Sequence, residues 1–596
     1  MRIPRVSAFF AVALLLSTIW IITLLPAYSP DPTSDRIPLL AVSIDEHGDE
    51  RAGGIAYLNL RVVEGSGNVY IHSDPLTKID TQASTTYAQR FACDYANVNC
   101  DEYDFLYSIE SGAPIVGGPS AGAAAAALTY TVLSGQQIPQ NVAVTGTISS
   151  GGVVGNVGGV AQKIEAASRA RFDTVIIPFL SNQTNETSIS VVRAETIDDI
   201  VIGLGLTPPA RHESTISVPD TYRETMRGVA QELCSEQALP LIPFGSETID
   251  TAYDRIENLT QDAQRASDAG DYYTQASHCF NIRVQTYYLQ LFDETKDLSD
   301  DNAASELISI LEENLNRSND TFTSFSDALE NPDLNDIQIY SIVEERYRES
   351  TTIGETLQEE IERERVSSEF RTRFDENTLF SAAYVLARID SMESWMQFAG
   401  FEEGSGISDR SLRRACTRKL SALTELSEYT TYITGVPTLD TTGVQEAHQS
   451  GSYAVCIYQA SLLTARAETF LSTIGTREDD RDALYDAKQR AAFDAIAEQT
   501  SKGHFPVMAY SYYEYAQSLR ETNLQTALLY IENALSLAEL DLYLEAAPGR
   551  SVSFDRDTRL AFALGIFTMA GLGMIITAST APRSEKRRRL KRIEKK

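Results

Sequence analysis

Hydrophobic and polar positions along the chain follow three patterns. Apolar residues first occur in short alternating runs broken by glycine. GIAYLNLRVV at 54–63 and NVYIH at 68–72 flank a Gly-Ser-Gly turn and predict an antiparallel strand pair. Asp80 is placed to cap a helix running to about residue 92. VAV at 142–144 and TVIIP at 174–178 predict strands, and VAQKIEAASRA at 160–170 predicts a helix with an apolar face. Strands interleaved with helices in this order predict an α+β domain over residues 39–206, preceded by a Pro-, Asp- and Ser-rich linker at 29–38.

After a second linker at 207–220 the pattern changes. Glycine becomes rare and a helical period dominates 221–550, for example at 221–238, 249–269, 304–315 and 339–373. Segments 272–291, 453–471, 505–519 and 524–540 place small residues and aromatics where stacked helix pairs need them. No fixed period emerges, so an all-α domain is predicted, either a divergent TPR-like array or an irregular bundle.

The third pattern is uninterrupted apolarity at both ends. Residues 6–25 carry no charge, follow Arg2 and Arg5, and are long enough to span a bilayer, so 1–28 is read as an uncleaved anchor, with a signal peptide cleaved near Ala27 or Ser29 as the alternative. Residues 560–580 are again apolar, and 581–596 form a tail with nine Lys and Arg. Under the positive-inside rule both termini are cytoplasmic, and the body between two transmembrane helices lies outside the cell membrane.

Charge and cysteine usage agree with that split. The chain's net charge is −33, and eleven of its 50 Lys and Arg lie at the two ends, so the body between them is more acidic still and no nucleic-acid partner is expected. Six cysteines, at 93, 100, 234, 279, 416 and 456, form no C-x-x-C, which argues against zinc. In an oxidising exterior, pairing by proximity joins Cys93 to Cys100, Cys234 to Cys279 and Cys416 to Cys456, with other connectivities open. Sequons at Asn182, Asn185, Asn258, Asn316 and Asn319 fit an exported chain.

Candidate chemistry concentrates in 115–177. Gly117, Gly118 and Pro119 make a turn, and Ser120, Ala121 and the alanine run after them open a helix of tiny side chains. Ser120 there is either a helix N-cap or a nucleophile beside backbone N–H groups able to stabilise an oxyanion. Lys163 shifts the balance. The chain has only ten lysines, at 78, 163, 296, 419, 488, 502 and four in the tail, so arginine supplies most of its positive charge. A lysine held among apolar and glycine-rich backbone is disfavoured in its charged form and can take a serine proton. His72 is a further candidate base, though a lone strand histidine is more often structural.

GGPSAG, then VAVTG, then GGVVGNVGGVAQKIEAA together resemble the proteolytic domain of Lon proteases, the archaeal membrane type more than the bacterial. The resemblance implies that Ser120 is the nucleophile, Lys163 its general base and Thr145 an orienting partner, with Gly118, Pro119 and Ala121 shaping the oxyanion turn. It also implies a homo-oligomeric ring. Two positions depart from the bacterial motif, Gly117 standing where that motif has aspartate and Thr147 where it has glutamate. A Lon ATPase would need G-x-x-x-x-G-K-[ST], and this chain contains no Gly-Lys pair.

The sequence thus predicts a membrane-anchored serine endopeptidase that needs no ATP, metal or other cofactor and acts on unfolded or flexible polypeptides. The alternative is a non-catalytic surface scaffold or adhesion protein that keeps a Lon-like fold.

Overall fold

Alternating apolar residues need a sheet with covered faces, and the chain builds one. The computed structural model describes residues 34–44, 50–181, 189–210, 215–235, 239–240, 242, 247–328, 333–366, 376–400, 407–474 and 476–540. Both proposed membrane spans, the basic tail, and Asn182 and Asn185 lie outside them. No helix among the described residues is long and apolar enough to cross a membrane.

Strands β1 (Ser34–Ile44), β2 (Glu50–Glu64), β3 (Val69–Thr77), β4 (Tyr103–Val116), β5 (Val142–Val144), β8 (Thr174–Pro178) and β9 (Ser190–Ala194) form a seven-stranded mixed sheet in the order β3-β4-β2-β1-β5-β8-β9. A small antiparallel hairpin of β6 (Thr147–Ile148) and β7 (Val154–Gly155) stands beside it. Helices α1 (Ile79–Tyr95), α2 (Gly122–Ser134), α3 (Val160–Arg169) and α4 (Ile197–Gly203) complete this half. Helix α3 covers the face carrying Leu40, Ala143, Val175 and Ile177. Gly203 of α4 packs on Ile176, and Tyr107 of β4 bonds Thr129 of α2 at 2.6 Å, so α2 and α4 cover the opposite face. Every residue of 122–133 is buried, because a helix of alanines can approach the sheet closely.

Three sequence expectations need correction. The 54–63 and 68–72 strands are not paired with each other. Strand β4 lies between them, antiparallel to β2 and parallel to β3. The Gly-Ser-Gly turn straddles Asp104, whose carboxylate accepts the Ser66 and Asn68 N–H groups at 2.9 and 3.0 Å. The predicted 29–38 linker runs into β1, where Ile37, Leu39 and Leu40 are buried. Its polar residues looked loop-like but have partners: Asp35 accepts from Ile138 N at 2.8 Å, and Arg36 donates to Gln140 and covers Tyr57. Asp80 is not a cap, since α1 already begins at Ile79 with Lys78 in the N-cap position.

Among the described residues the regular elements of the second half are all helical: α5 (Asp220–Leu233), α6 (Glu247–Ala269), α7 (Tyr272–Thr295), α8 (Asp300–Ala328), α9 (Leu334–Val366), α10 (Glu376–Trp395), α11 (Asp409–Thr434), α12 (Thr442–Ser450), α13 (Tyr453–Ile474), α14 (Arg481–Ser501), α15 (Val507–Leu519) and α16 (Leu524–Ala538). Two apolar clusters organise it. One joins α6 to α10 through residues such as Leu289, Leu307 and Ile389. The larger links α5 with α11–α16, and it takes in Val153 from the loop before β7. Of the tyrosines of 505–519, Tyr512 is buried and bonds Tyr458 at 2.8 Å, while Tyr510, Tyr513 and Tyr515 are half-buried and packed against the same core.

The disulfides are Cys93–Cys100, Cys234–Cys279 and Cys416–Cys456, the connectivity that proximity predicted. The last two tie α5 to α7 and α11 to α13, pairs whose sequence separations are 45 and 40 residues.

Candidate active site

The turn that carries Ser120 is set by backbone geometry that few residues tolerate. Gly118 has φ 108° and ψ 144°, a conformation a Cβ would strain, and Pro119 then opens a single 3-10 turn over Pro119–Ala121. Helix α2 follows from Gly122. Its N-cap position is Ala121, and no side chain caps either helical start, so the simple N-cap reading of Ser120 does not hold.

The end of β5 is laced to this turn. Gly146 N donates to the Ser120 carbonyl at 3.0 Å, and Ala123 N donates to the Gly146 carbonyl at 3.1 Å. Between them Thr145, 1% exposed, donates from Oγ1 to the same Ser120 carbonyl at 3.4 Å. Its N–H is held by the Ile176 carbonyl of β8 at 3.0 Å.

Lys163 arrives from the opposite side. Gly159 starts α3 with φ 65°, and the helix turns Val160, Ile164 and Ala167 onto the sheet. That rotation buries Lys163 to 4% exposure, and its Nζ donates to Thr145 Oγ1 at 3.2 Å. The helix can come this close because Gly53 of β2 has no side chain. A Cβ there would fall 2.1 Å from the Gln162 carbonyl oxygen.

Ser120, Thr145 and Lys163, from three separate elements, are therefore brought together. Gly118, Pro119 and Ala121 surround the serine as expected. His72 is not part of this group. It is exposed on β3 in register with Ser108, eight positions before Val116, or about 25 Å along the strand. At Gly117, where the bacterial motif has a carboxylate, the Lys78 stem fills the space, with its Cδ 2.4 Å from where a Cβ would stand.

The model of the Lon protease (S16) C-terminal proteolytic domain matches residues 52–203. Residues 52–203 are a Lon-type proteolytic domain. The segment is 28% identical over 169 residues to the Lon protease of Geobacter metallireducens, an alignment covering 26% of this chain and 20% of that relative. It is 34% identical over 134 residues to the Lon protease of Syntrophomonas wolfei, covering 22% and 16%. With Lon protease 2 of Bacillus subtilis the identity is 33% over 115 residues, covering 19% and 21%. The chain thus spans about a fifth of the length of these relatives, and the helical half lies beyond the matched Lon segment.

The sequence marks only Lys163 as chemistry, whereas three of the scarce body lysines are buried: Lys163, Lys419 and Lys488, at 4, 3 and 1% exposure. The same scarcity was the signal for all three.

Proposed function

We propose that this chain is a membrane-anchored serine endopeptidase that hydrolyses unfolded or loosely folded polypeptides outside the membrane, with Ser120 as nucleophile and Lys163 as general base. The observation that carries the reading is the continuous link from Lys163 Nζ to Thr145 Oγ1 and on to the Ser120 carbonyl. Burying an ammonium is costly, so a buried lysine is the more readily left as a neutral amine able to accept a proton.

In this mechanism neutral Lys163 accepts the Ser120 hydroxyl proton as Oγ attacks the scissile carbonyl. The oxyanion forms beside the N–H of Ala121 at the start of α2. Collapse expels the amine, which takes the proton from the Lys163 ammonium and leaves an acyl ester on Ser120. Water then attacks the ester, giving a proton to Lys163; collapse of this second intermediate breaks the ester bond, Ser120 Oγ leaves and recovers its proton from the Lys163 ammonium, and the new carboxylic acid departs and ionises. No step uses a nucleotide, in keeping with the missing Gly-Lys pair.

The solubilised full chain should degrade an unfolded protein without ATP, and Ser120→Ala should abolish this; cleavage that survives in Ser120→Ala, or that requires ATP, would sink the proposal. The placement rests on the two apolar ends, the basic tail and three formed disulfides. Protease added to intact cells should digest the body while a tag after Lys596 stays protected. A protected body would contradict the exterior assignment. Assembly into a homo-oligomeric ring belongs to the same proposal, and sedimentation of the solubilised chain tests it.

A further inference from the structure

The β6–β7 hairpin is gripped at its tip by the helical half. Its turn, Ser149 to Val153, contains consecutive left-handed glycines, Gly151 at φ 73° and Gly152 at φ 71°. Ser150 donates from Oγ to Glu468 Oε2 of α13 at 2.9 Å, and its N–H points at the same oxygen at 3.4 Å. Gly151 N donates to Glu539 Oε1, at the end of α16, at 2.6 Å. Ser149 Oγ accepts from Lys488 of α14 at 3.4 Å, and Lys488 is ion-paired with buried Glu532 of α16. There is no room for a side chain at Gly151, where a Cβ would lie 2.6 Å from Ala491 Cβ and 2.8 Å from Leu535 Cδ2.

The base of the same hairpin bears on the nucleophile turn. Ile148 packs on Gly122 and Val154 on Gly146, the residue whose N–H and carbonyl tie Ser120 and Ala123 together. Asn156, just past β7 on the path to α3 and Lys163, donates to Thr476 Oγ1 of the helical half at 3.2 Å.

We propose that Glu468 and Glu539 are positioning residues for the Ser120–Lys163 centre: by holding the turn between β6 and β7 they seat the hairpin on the nucleophile turn, so that the helical half completes the catalytic geometry. This deepens the peptidase reading and rests on it for its kinetic consequence.

Burial pushes the Glu539 carboxyl up to about 8, with Glu468 and Asp94 adding to the rise and the Gly151 N–H and Lys419 opposing it. Below that pH Glu539 is mostly neutral and holds Gly151 N through a carboxyl oxygen, which a glutamine amide oxygen can replace.

The test uses the full chain in detergent, with Glu539→Leu and Glu539→Gln. Two readouts are taken: kcat and KM on a short fluorogenic peptide, and amide hydrogen exchange in segments 120–124 and 145–152. Glu539→Leu should lower kcat at least about tenfold with KM within about twofold, as expected when a catalytic group is displaced without loss of substrate contacts. Exchange should rise together in both segments. Glu539→Gln should restore both readouts. The inference is overturned if Glu539→Leu turns over normally, if faster exchange stays confined to 149–152, or if Gln behaves like Leu. Should Glu539→Leu fail to fold, Ser150→Ala, which removes the Oγ bond to Glu468, takes its place with the same criteria. If wild type shows no Ser120-dependent turnover, the peptidase reading has failed, and the exchange arm still decides whether the clamp reaches the Ser120 turn.

Discussion

Lys163→Arg should lose cleavage as completely as Ser120→Ala, by at least about a thousandfold, because members of a nucleophile–base unit fail together. Arginine keeps the positive charge and much of the length, but it cannot give up a proton at any working pH. The comparison therefore separates a base from a structural cation. Removing the Thr145 hydroxyl by Thr145→Val should have a smaller effect, about ten- to a hundredfold, since it loosens the amine but leaves it present. Its methyl groups fill the same 1%-exposed site, but the buried Lys163 amine loses an acceptor, so a fall in stability of about 1–3 kcal/mol should accompany the change. Wild-type activity should rise with pH, because only the deprotonated amine can accept the serine proton. An active Lys163→Arg variant, or a rate that falls through the neutral to alkaline range, would mean that another group is the base.

Gly53→Ala should slow cleavage by about a hundredfold although Gly53 is none of the three proposed catalytic residues. Its new Cβ would stand 2.1 Å from the Gln162 carbonyl oxygen, 2.7 Å from the carbonyl carbon and 2.9 Å from Ala166 Cβ. Two of those atoms are backbone of α3, so no side-chain rotation relieves the overlap and the helix carrying Lys163 must retreat. A shift of about 1 Å at a catalytic group lowers the rate by roughly a hundredfold, and overpacking of this kind destabilises by about 1–3 kcal/mol. Gly54→Ala supplies the control, since a Cβ there meets nothing within 4 Å. Peptidase assays and thermal melts of the two variants check this. Equal activity in both would show that the approach of α3 to β2 does not set the position of Lys163.

The parts of this fold that could be read from the sequence are those where local pattern and tertiary demand coincide. The alanine run after Ser120 marks the start of a buried helix, and α3 shows its apolar face at helical spacing and is predicted to within one residue of its observed limits. Strand partners were harder. The turn at 65–67 is short enough for a hairpin, yet whether it closes on itself or straddles a third strand depends on Asp104, far along the chain. β1 was hidden because Asp35, Arg36 and Pro38 look like a linker until Ile138, Gln140 and Tyr57 are seen beside two of them.

The proposed centre of Ser120, Thr145 and Lys163 is legible in the sequence because each lies in a short, unusual motif. The clamp on the hairpin is not. Glu468 is the single carboxylate of α13 and Glu539 directly follows the largely apolar α16, and nothing in their local spacing distinguishes them from solvated carboxylates. Only the fold, which brings positions more than 300 residues apart into contact with Ser150 and Gly151, gives them a role.

The account stands most directly on the reactivity of one hydroxyl. The solubilised full chain, treated with an organophosphorus reagent and mapped by tryptic mass spectrometry, should carry a single adduct on Ser120. Adduct formation should quicken as pH rises and nearly vanish in Lys163→Arg. An unmodified Ser120 in folded wild-type protein, or labelling of equal rate in Lys163→Arg, would contradict the Ser120–Lys163 centre.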